Sequence, residues 1–402
     1  MLDFNQVAVQ MQGFTRDQVN TLDQLRSALA EAGARLRDSG PEWEAVRTKI
    51  SESHTSWLMP EWRERPDSVL AAPPAIEVYT ALATDGSQIV ADRHDLALCY
   101  LTNIGFIALR YGPESSALLR SRPALATPDD DLLSEFHGDQ DPIAPKRLAM
   151  HCRLQEIAGL AELIEEEAVR QIGQVPMVAL CDGSLILWPL ETERHDEYRN
   201  RVLDSFQAGL DAARAARVPF AGYISKPMSR DVVNSLRVFV CPFEIADCDR
   251  NCPKSRLNPP HYEVPPCAGT ERVTDAMLFA TMLEPGERSA VFQSGSKILA
   301  AYAPRHYVGF FYLHTGREVA RVEIPAWVAD DPRLLDQTHA LCFDQAQKGD
   351  GYPVALAEAH EQAIVRGAER AAFFHLMERH FVPQGITIGT TRKALSKRAR
   401  RV

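Results

Sequence analysis

Two strand-like apolar runs, each leading into the tripeptide Asp-Gly-Ser, constrain this chain more than any other feature. Residues 76–84 lead into Asp85-Gly86-Ser87, and residues 178–181 lead into Asp182-Gly183-Ser184. Their side chains suit buried strands, and Asp-Gly is a common turn signal, so each junction reads first as the end of a strand. Two carboxylates delivered to one edge of a sheet are also a means of holding divalent cations.

The surrounding pattern alternates strand and helix. Residues 1–57 read as helical, with Leu22, Leu25, Leu29, Val46 and Ile50 spaced to form an apolar face. The proline-rich stretch 58–75 reads as a connector. Strands are expected at 76–84, at 100–108 and at 176–181, with an acidic loop around Asp129, Asp130 and Asp131. A long helix over 145–171 carries Leu148, Leu154, Ile157, Leu160, Leu163 and Ile164 toward its buried side, and a second helix covers 191–217. Short strands are expected at 222–225 and 236–240, a meander at 297–302, 308–313 and 319–324, and a final helix from Pro353 to about Arg379. This order predicts an α/β fold: a mixed sheet flanked by helices, a helical N-terminal region and additional α+β elements, with the main domain over 76–380 and a tail over 381–402.

Composition narrows the function. The 402 residues carry a formal charge of -10, which argues against a surface coated with basic groups for nucleic acid. The tail runs against that average, with Arg392, Lys393, Lys397, Arg398, Arg400 and Arg401, and phosphate contact is the sharper use of such a tail. The N-terminus lacks the basic and apolar blocks of a signal peptide, and no run approaches the roughly 18 apolar residues of a membrane span, so the cytoplasm is the expected compartment. Cysteines there serve as thiols or metal ligands rather than disulfides. Of the eight cysteines, Cys241, Cys248, Cys252 and Cys267 fall in one proline-rich loop over 241–267, where thiolates would hold zinc or an iron–sulfur cluster, or remain free.

A metal-assisted phosphodiesterase needs converging carboxylates, and hard oxygen donors of this kind suit manganese or magnesium. Asp85 and Asp182 supply two. The helix before the second run offers Glu156, Glu162 and the run Glu165 to Glu167. Glu156 borders the buried face and is the preferred third acid, with Glu162 next; the run reads as a solvated helix end. His360 sits among Leu356, Ala359, Ala363 and Ile364, as a metal ligand or proton carrier, eight residues after Tyr352. Lys226, just after a strand, is a candidate phosphate contact, as are Arg392 and Lys393 in the tail. Aromatic residues make up 8% of the chain and nowhere interleave with basic ones, so contact with a nucleic-acid backbone is expected rather than base stacking.

Taken in order, Thr84-Asp85-Gly86-Ser87, Leu180-Cys181-Asp182-Gly183-Ser184-Leu185-Ile186 and Gly351-Tyr352-Pro353 through Leu356 to Ala359-His360 resemble the motifs of the NurA nucleases, over roughly residues 75–370. The resemblance implies an RNase H-like core, a toroidal homodimer, manganese-dependent cleavage of DNA and partnership with a HerA-like hexameric ATPase in DNA-end resection. By position it assigns the motif aspartates to Asp85 and Asp182, the terminal tyrosine and histidine to Tyr352 and His360, and the helical glutamate to Glu156. A rival expectation is a non-cleaving clamp on DNA, or a scaffold on a motor, built on the same fold. A third places the functional centre in the cysteine loop, as a redox module.

Overall fold

The computed structural model of the chain describes residues 3–90, 99–126, 145–170, 175–252 and 265–385. The acidic stretch at Asp129 to Asp131 and the tail residues Arg392 and Lys393 lie outside the described residues. In chain order the elements begin with α1 (Phe4–Ser39), α2 (Trp43–Ser51), β1 (Glu61–Trp62), β2 (Val69–Leu70), β3 (Tyr79–Val90), β4 (Tyr100–Tyr111) and β5 (Ser116–Ala126). Then come α3 (Pro145–Arg170), β6 (Met177–Asp182), α4 (Asp196–Ala215), β7 (Phe220–Ile224), α5 (Asp231–Phe239), α6 (Cys248–Asn251) and α7 (Asp275–Phe279). The remainder are β8 (Arg288–Ser289), β9 (Phe292–Gln293), β10 (Val308–His314), β11 (Val319–Pro325), α8 (Ala326–Ala329), α9 (Pro332–Lys348), α10 (Val354–Ala363) and α11 (Gly367–Phe381). The expected mixed α/β fold is present.

The chain forms two compact units, each assembled from separated stretches: Met1–Ala75, Gly183–Trp188 and Ala221–Pro353 in the first, and Ile76–Asp182, Pro189–Phe220 and Val354–Val402 in the second. The units therefore do not follow successive segments of sequence.

In the second unit, β3, β4 and β5 form an antiparallel meander, and β6 pairs parallel to β3 on its other side. Parallel neighbours need a crossover, which α3 supplies. The side of α3 foreseen from its spacing is indeed inside: Leu148, Ile157, Leu160, Leu163 and Ile164 are fully buried. Burying each such side chain contributes about 1.5–3 kcal/mol. The polar side of α3 is tied to the outer strands: Glu167 accepts from Arg110 of β4, Glu166 from Arg120 of β5 at 2.9 Å, and Glu162 from Arg122 of β5 at 2.8 Å.

The first unit carries an antiparallel sheet in the order β1, β9, β10, β11, β7, with β8 pairing both β10 and β2. Helices α1, α2, α5 and α7 bury Ala32, Leu36, Val46, Leu236 and Phe279 in one core with Trp62, Phe292, Phe310 and Tyr312. Within it Arg321 pairs with Asp231 at 2.8 Å and Glu323 at 2.9 Å, so its charge is buried with partners.

Three expectations change. Residues 236–240, read as a strand, close helix α5. Its first N–H groups, on Val232 and Val233, donate to the buried carboxylate of Asp275 at 3.1 and 2.9 Å, and this tertiary cap outweighs the β-branched run that follows. Residues 297–301 form a short 3-10 helix rather than a strand of the meander. The final helix divides into α10 and α11; α11 is capped by Arg366, whose N–H donates to Glu369 at 2.8 Å.

His339 on α9 is buried with its Nε2 2.7 Å from the carbonyl oxygen of Gly286. Burial lowers its pKa from the usual 6.5 to about 4. The native state thus stays neutral where the unfolded chain takes up a proton, so this group's stabilisation is complete above the unfolded pKa and is lost as pH falls from 6.5 toward 4. Comparing denaturant unfolding of the wild type and His339→Gln across that range should show the wild type's relative stability shrinking by up to about 3 kcal/mol.

Candidate metal centre

The site is built by the pleat of β3, which sends successive side chains to opposite faces. Thr84 and Gly86 face α3: the Thr84 hydroxyl donates to the Glu156 carbonyl at 2.8 Å. A Cβ on Gly86 would lie 2.5 Å from Cys152 Sγ and 2.7 Å from Glu156 Oε1. Asp85 and Ser87 face α10. The Ser87 hydroxyl donates to the Ala363 carbonyl, and His360 Nδ1 lies 2.8 Å from Asp85 Oδ2.

The first Asp-Gly-Ser is consequently not a turn. It lies inside β3, paired residue by residue with β4, Asp85 opposite Gly105 and Ser87 opposite Asn103. Gly86 is there because a side chain would displace the Glu156 carboxylate. The second copy behaves as the sequence implied: β6 ends at Asp182, and Gly183 takes φ +83°, the left-handed region glycine enters without steric cost. Ser184 then accepts from Ile186 N at 3.0 Å and donates to Glu323 at 2.7 Å, fixing the turn.

In the β3–β6 pairing Thr84 stands beside Cys181, and both face α3, since Cys181 Sγ accepts from Arg153 at 3.2 Å. The alternation therefore carries Asp182 to the α10 face, alongside Asp85 and His360. Asp182 is exposed there.

Helix α10 is set by β4. A Cβ on Gly105 would fall 2.5 Å from the Ala359 carbonyl oxygen and 2.8 Å from Ala363 N, so the helix backbone rests directly on the strand. Asn103 Nδ2 donates to the carbonyls of Gln362 at 3.2 Å and Ala363 at 2.9 Å. With Ser87 it satisfies the last carbonyls of the helix, which ends here for that reason, and holds His360 one turn back over Asp85.

Glu156 occupies the α3 face, nearly buried. Burial pushes its carboxyl above the usual range; Arg153 pulls it back, and Asp85 and Asp182 add to the rise. Arg153 Nη1 donates to Glu156 Oε2 and to the Asp182 carbonyl, both at 3.0 Å. The neighbouring thiol of Cys152 is pushed up to about 12, chiefly by burial and then by Glu156 and Asp85, so it stays protonated near neutrality. Glu162, the second choice from sequence, is committed to Arg122, and Glu167 is buried against Arg110 rather than solvated.

The candidates are thus brought together in part. Asp85, Asp182 and His360 share one face of the sheet, whereas Glu156 approaches from the other across the gap left by Gly86. Among the described residues no group of three or more His, Cys, Asp and Glu side chains converges into a site ready to hold a metal ion. The donor set nevertheless fits a hard cation: carboxylates with one imidazole suit manganese or magnesium, and the mutual repulsion felt by Glu156 is what a cation relieves.

Tyr352 belongs to the first unit, where its ring meets Tyr223 edge-on with centroids 5.6 Å apart. Lys226 is exposed and takes φ +46°, a strained value for a residue with a side chain. None of the eight cysteines is in a disulfide, and the four of the 241–267 loop are half-buried. Burial, then the thiols of Cys252, Cys267 and Cys241, push Cys248 up to about 12. Sequence reasoning missed Asn103, Gly105 and Arg153. The first two were visible as a polar residue and a glycine inside an apolar strand run, and Arg153 as a cation one turn before Glu156.

Two outcomes follow from this packing. Gly105→Ala should cost about 1–3 kcal/mol in thermal unfolding, because α10 must move off the strand, and hydrogen exchange of α10 amides should rise with it. Arg153→Met should cost about 3–5 kcal/mol by leaving Glu156 buried without its partner, and the double variant Arg153→Met/Glu156→Gln should recover most of that loss.

Residues 79–365 match the model of the NurA domain. No curated protein matches the sequence. Among solved structures the chain is similar to the protease-reverse transcriptase of Prototype Foamy Virus at 11% identity and a TM-score of 0.22, over 39% of this chain and 19% of that one.

Proposed function

Because the chain belongs to the NurA family, a nuclease family of DNA end processing, we propose that it hydrolyses phosphodiester bonds in DNA with the help of a divalent metal. The observation that carries this reading is the pairing of His360 with Asp85 on the face that Asp182 shares. Asp85, Asp182 and His360 would hold manganese, or magnesium in its place, with Glu156 as the third carboxylate. When bound, the cation supplies positive charge at the phosphate and an acidified water.

The remaining work falls to the chain. Asp85 orients the imidazole through Nδ1, which leaves Nε2 as the one nitrogen that would either hold the cation or, with the carboxylates holding it alone, take or return a proton at a phosphate oxygen or an attacking water. Arg153 pairs with Glu156 and works against the rise that burial imposes on its carboxyl. Lys226, exposed beyond β7, would contact the DNA backbone, and Arg392 and Lys393 would do the same from the tail. A positioning role for Tyr352 rests on the family alone, as do the homodimer and the HerA-like hexameric ATPase as partner, and the cytoplasm is the setting proposed for them.

A second reading is a clamp or motor-associated scaffold that does not cut. It is favoured by the pairing of Glu156 with Arg153 and by the lack of a converged three-ligand group among the described residues.

End-labelled linear DNA, incubated with and without manganese and with the partner ATPase added, separates the two. The nuclease reading expects manganese-dependent cleavage by the wild type, falling about a hundredfold or more in Asp85→Ala and His360→Ala. Equal rates in wild type and variants would overturn the site. Binding of DNA insensitive to manganese, with no cleavage in any mixture, would establish the clamp.

A further inference from the structure

The cysteine loop is absorbed by none of the chemistry above, and separate contacts in the first unit gather its four cysteines at one corner. Lys49 of α2 donates to the Cys241 carbonyl. Three residues beyond α2, the His54 carbonyl accepts from Cys248 N at 3.4 Å, and His54 bridges Asp247 in a parallel β-bridge. Both contacts place their cysteine at the end of α2. Arg237, near the end of α5, donates through Nε to the Cys267 carbonyl at 3.2 Å, one helical turn before Cys241. Cys241 and Cys267 therefore share the end of α5. Cys248 opens the four-residue helix α6 and Cys252 caps it, an i, i+4 relation that turns both toward one side.

Helix α6 itself buries no residue, and the apolar hold on the described residues around it is Ala246, buried in the first unit's core, with Cys241 packed against that core. The segment's other fixed points are an Asp247 side chain that caps α6 through Asp249 N at 3.1 Å and Arg250 N at 3.0 Å, and the cationic residues just named. The thiols lie within electrostatic reach of one another. Lys49 and Arg237, bonded to the carbonyls of two of the cysteines, bring positive charge to a place where several thiolates would otherwise repel. Clustered thiols with positive charge beside them are the ingredients of a structural thiolate–metal centre.

We propose that Cys241, Cys248, Cys252 and Cys267 form a thiolate-ligated metal centre, zinc or an iron–sulfur cluster, that clasps the loop onto the ends of α2 and α5. The thiols are not yet converged to a four-ligand cage, so binding draws them inward from their present positions. The centre is structural: Arg237, which holds the Cys267 carbonyl, is itself seated over the Trp57 ring at 3.7 Å.

The test is metal analysis and visible absorption of the full-length chain purified without oxygen or chelator. Zinc at about one equivalent with no visible absorption identifies one source, and iron with sulfide and a broad visible band identifies the other. In either case Cys248→Ser and Cys252→Ser should lose the metal, and a thiol reagent should reach the three remaining cysteines of the loop in each variant, and all four in the wild type after chelation, where the native protein protects them. Circular dichroism checks that the variants remain folded. Wild-type protein free of zinc and iron, with these four thiols already reactive in the native state, would overturn the proposal, whatever the outcome of the DNA-cleavage assay.

Discussion

The pleat of β3 is the constraint on which the candidate site depends. A strand cannot present two neighbouring residues to the same side, so the four residues from Thr84 to Ser87 serve two helices at once. Thr84 and Gly86 seat α3, and Asp85 and Ser87 seat α10. A shift of one residue in the β3–β4 pairing would exchange every one of these roles, placing Asp85 against α3 and Gly86 under His360. The length of the β3–β4 ladder, continuous from Tyr79↔Tyr111 to Val90↔Tyr100, is what forbids that slip. The same geometry explains why Glu156 stands apart from the aspartates: it belongs to the helix on the other side of the sheet, and reaches toward them only where a glycine leaves room.

Charge is handled differently on the two faces. On the α3 side the carboxylates are consumed in pairs, Glu162, Glu166 and Glu167 by arginines of β4 and β5, and Glu156 by Arg153. The two that are buried, Glu156 and Glu167, must be paired, because an isolated carboxylate out of water is costly. On the α10 side Asp182 is exposed, and Asp85 meets an imidazole that is itself largely exposed. Chemistry that needs substrate access thus has one face available, while the other is spent on holding α3 in place.

Much of this was legible in the chain. The spacing of Leu148, Ile157, Leu160 and Ile164 foretold which side of α3 is buried, and the apolar runs foretold β3, β4 and β6. What local pattern could not convey was the second partner. Asp-Gly-Ser at 85–87 has the composition of a turn, yet it lies within a ladder because twelve residues of β4 pair with β3. The run at 236–240 has strand composition, yet Asp275, far along the chain, caps the helix that contains it. The division between α10 and α11 carries no proline inside it; it arises where Asn103 and Ser87 take the helix's final carbonyls. Each miss is a local preference overruled by a residue distant in sequence.

The way the chain is threaded has a consequence for anyone who would dissect it. The backbone passes from one compact unit to the other five times, at residues 75, 182, 188, 220 and 353, so neither unit is a continuous piece that a restriction site or a protease could free. The segment that matches the family begins at residue 79, after α1, α2 and Trp62, whose buried surfaces are matched by Leu236, Phe279 and Phe310. Expressed alone, that segment would present to water the apolar surface that those N-terminal residues cover, and an insoluble product would report a missing wall of the core rather than an intrinsically unstable nuclease fold.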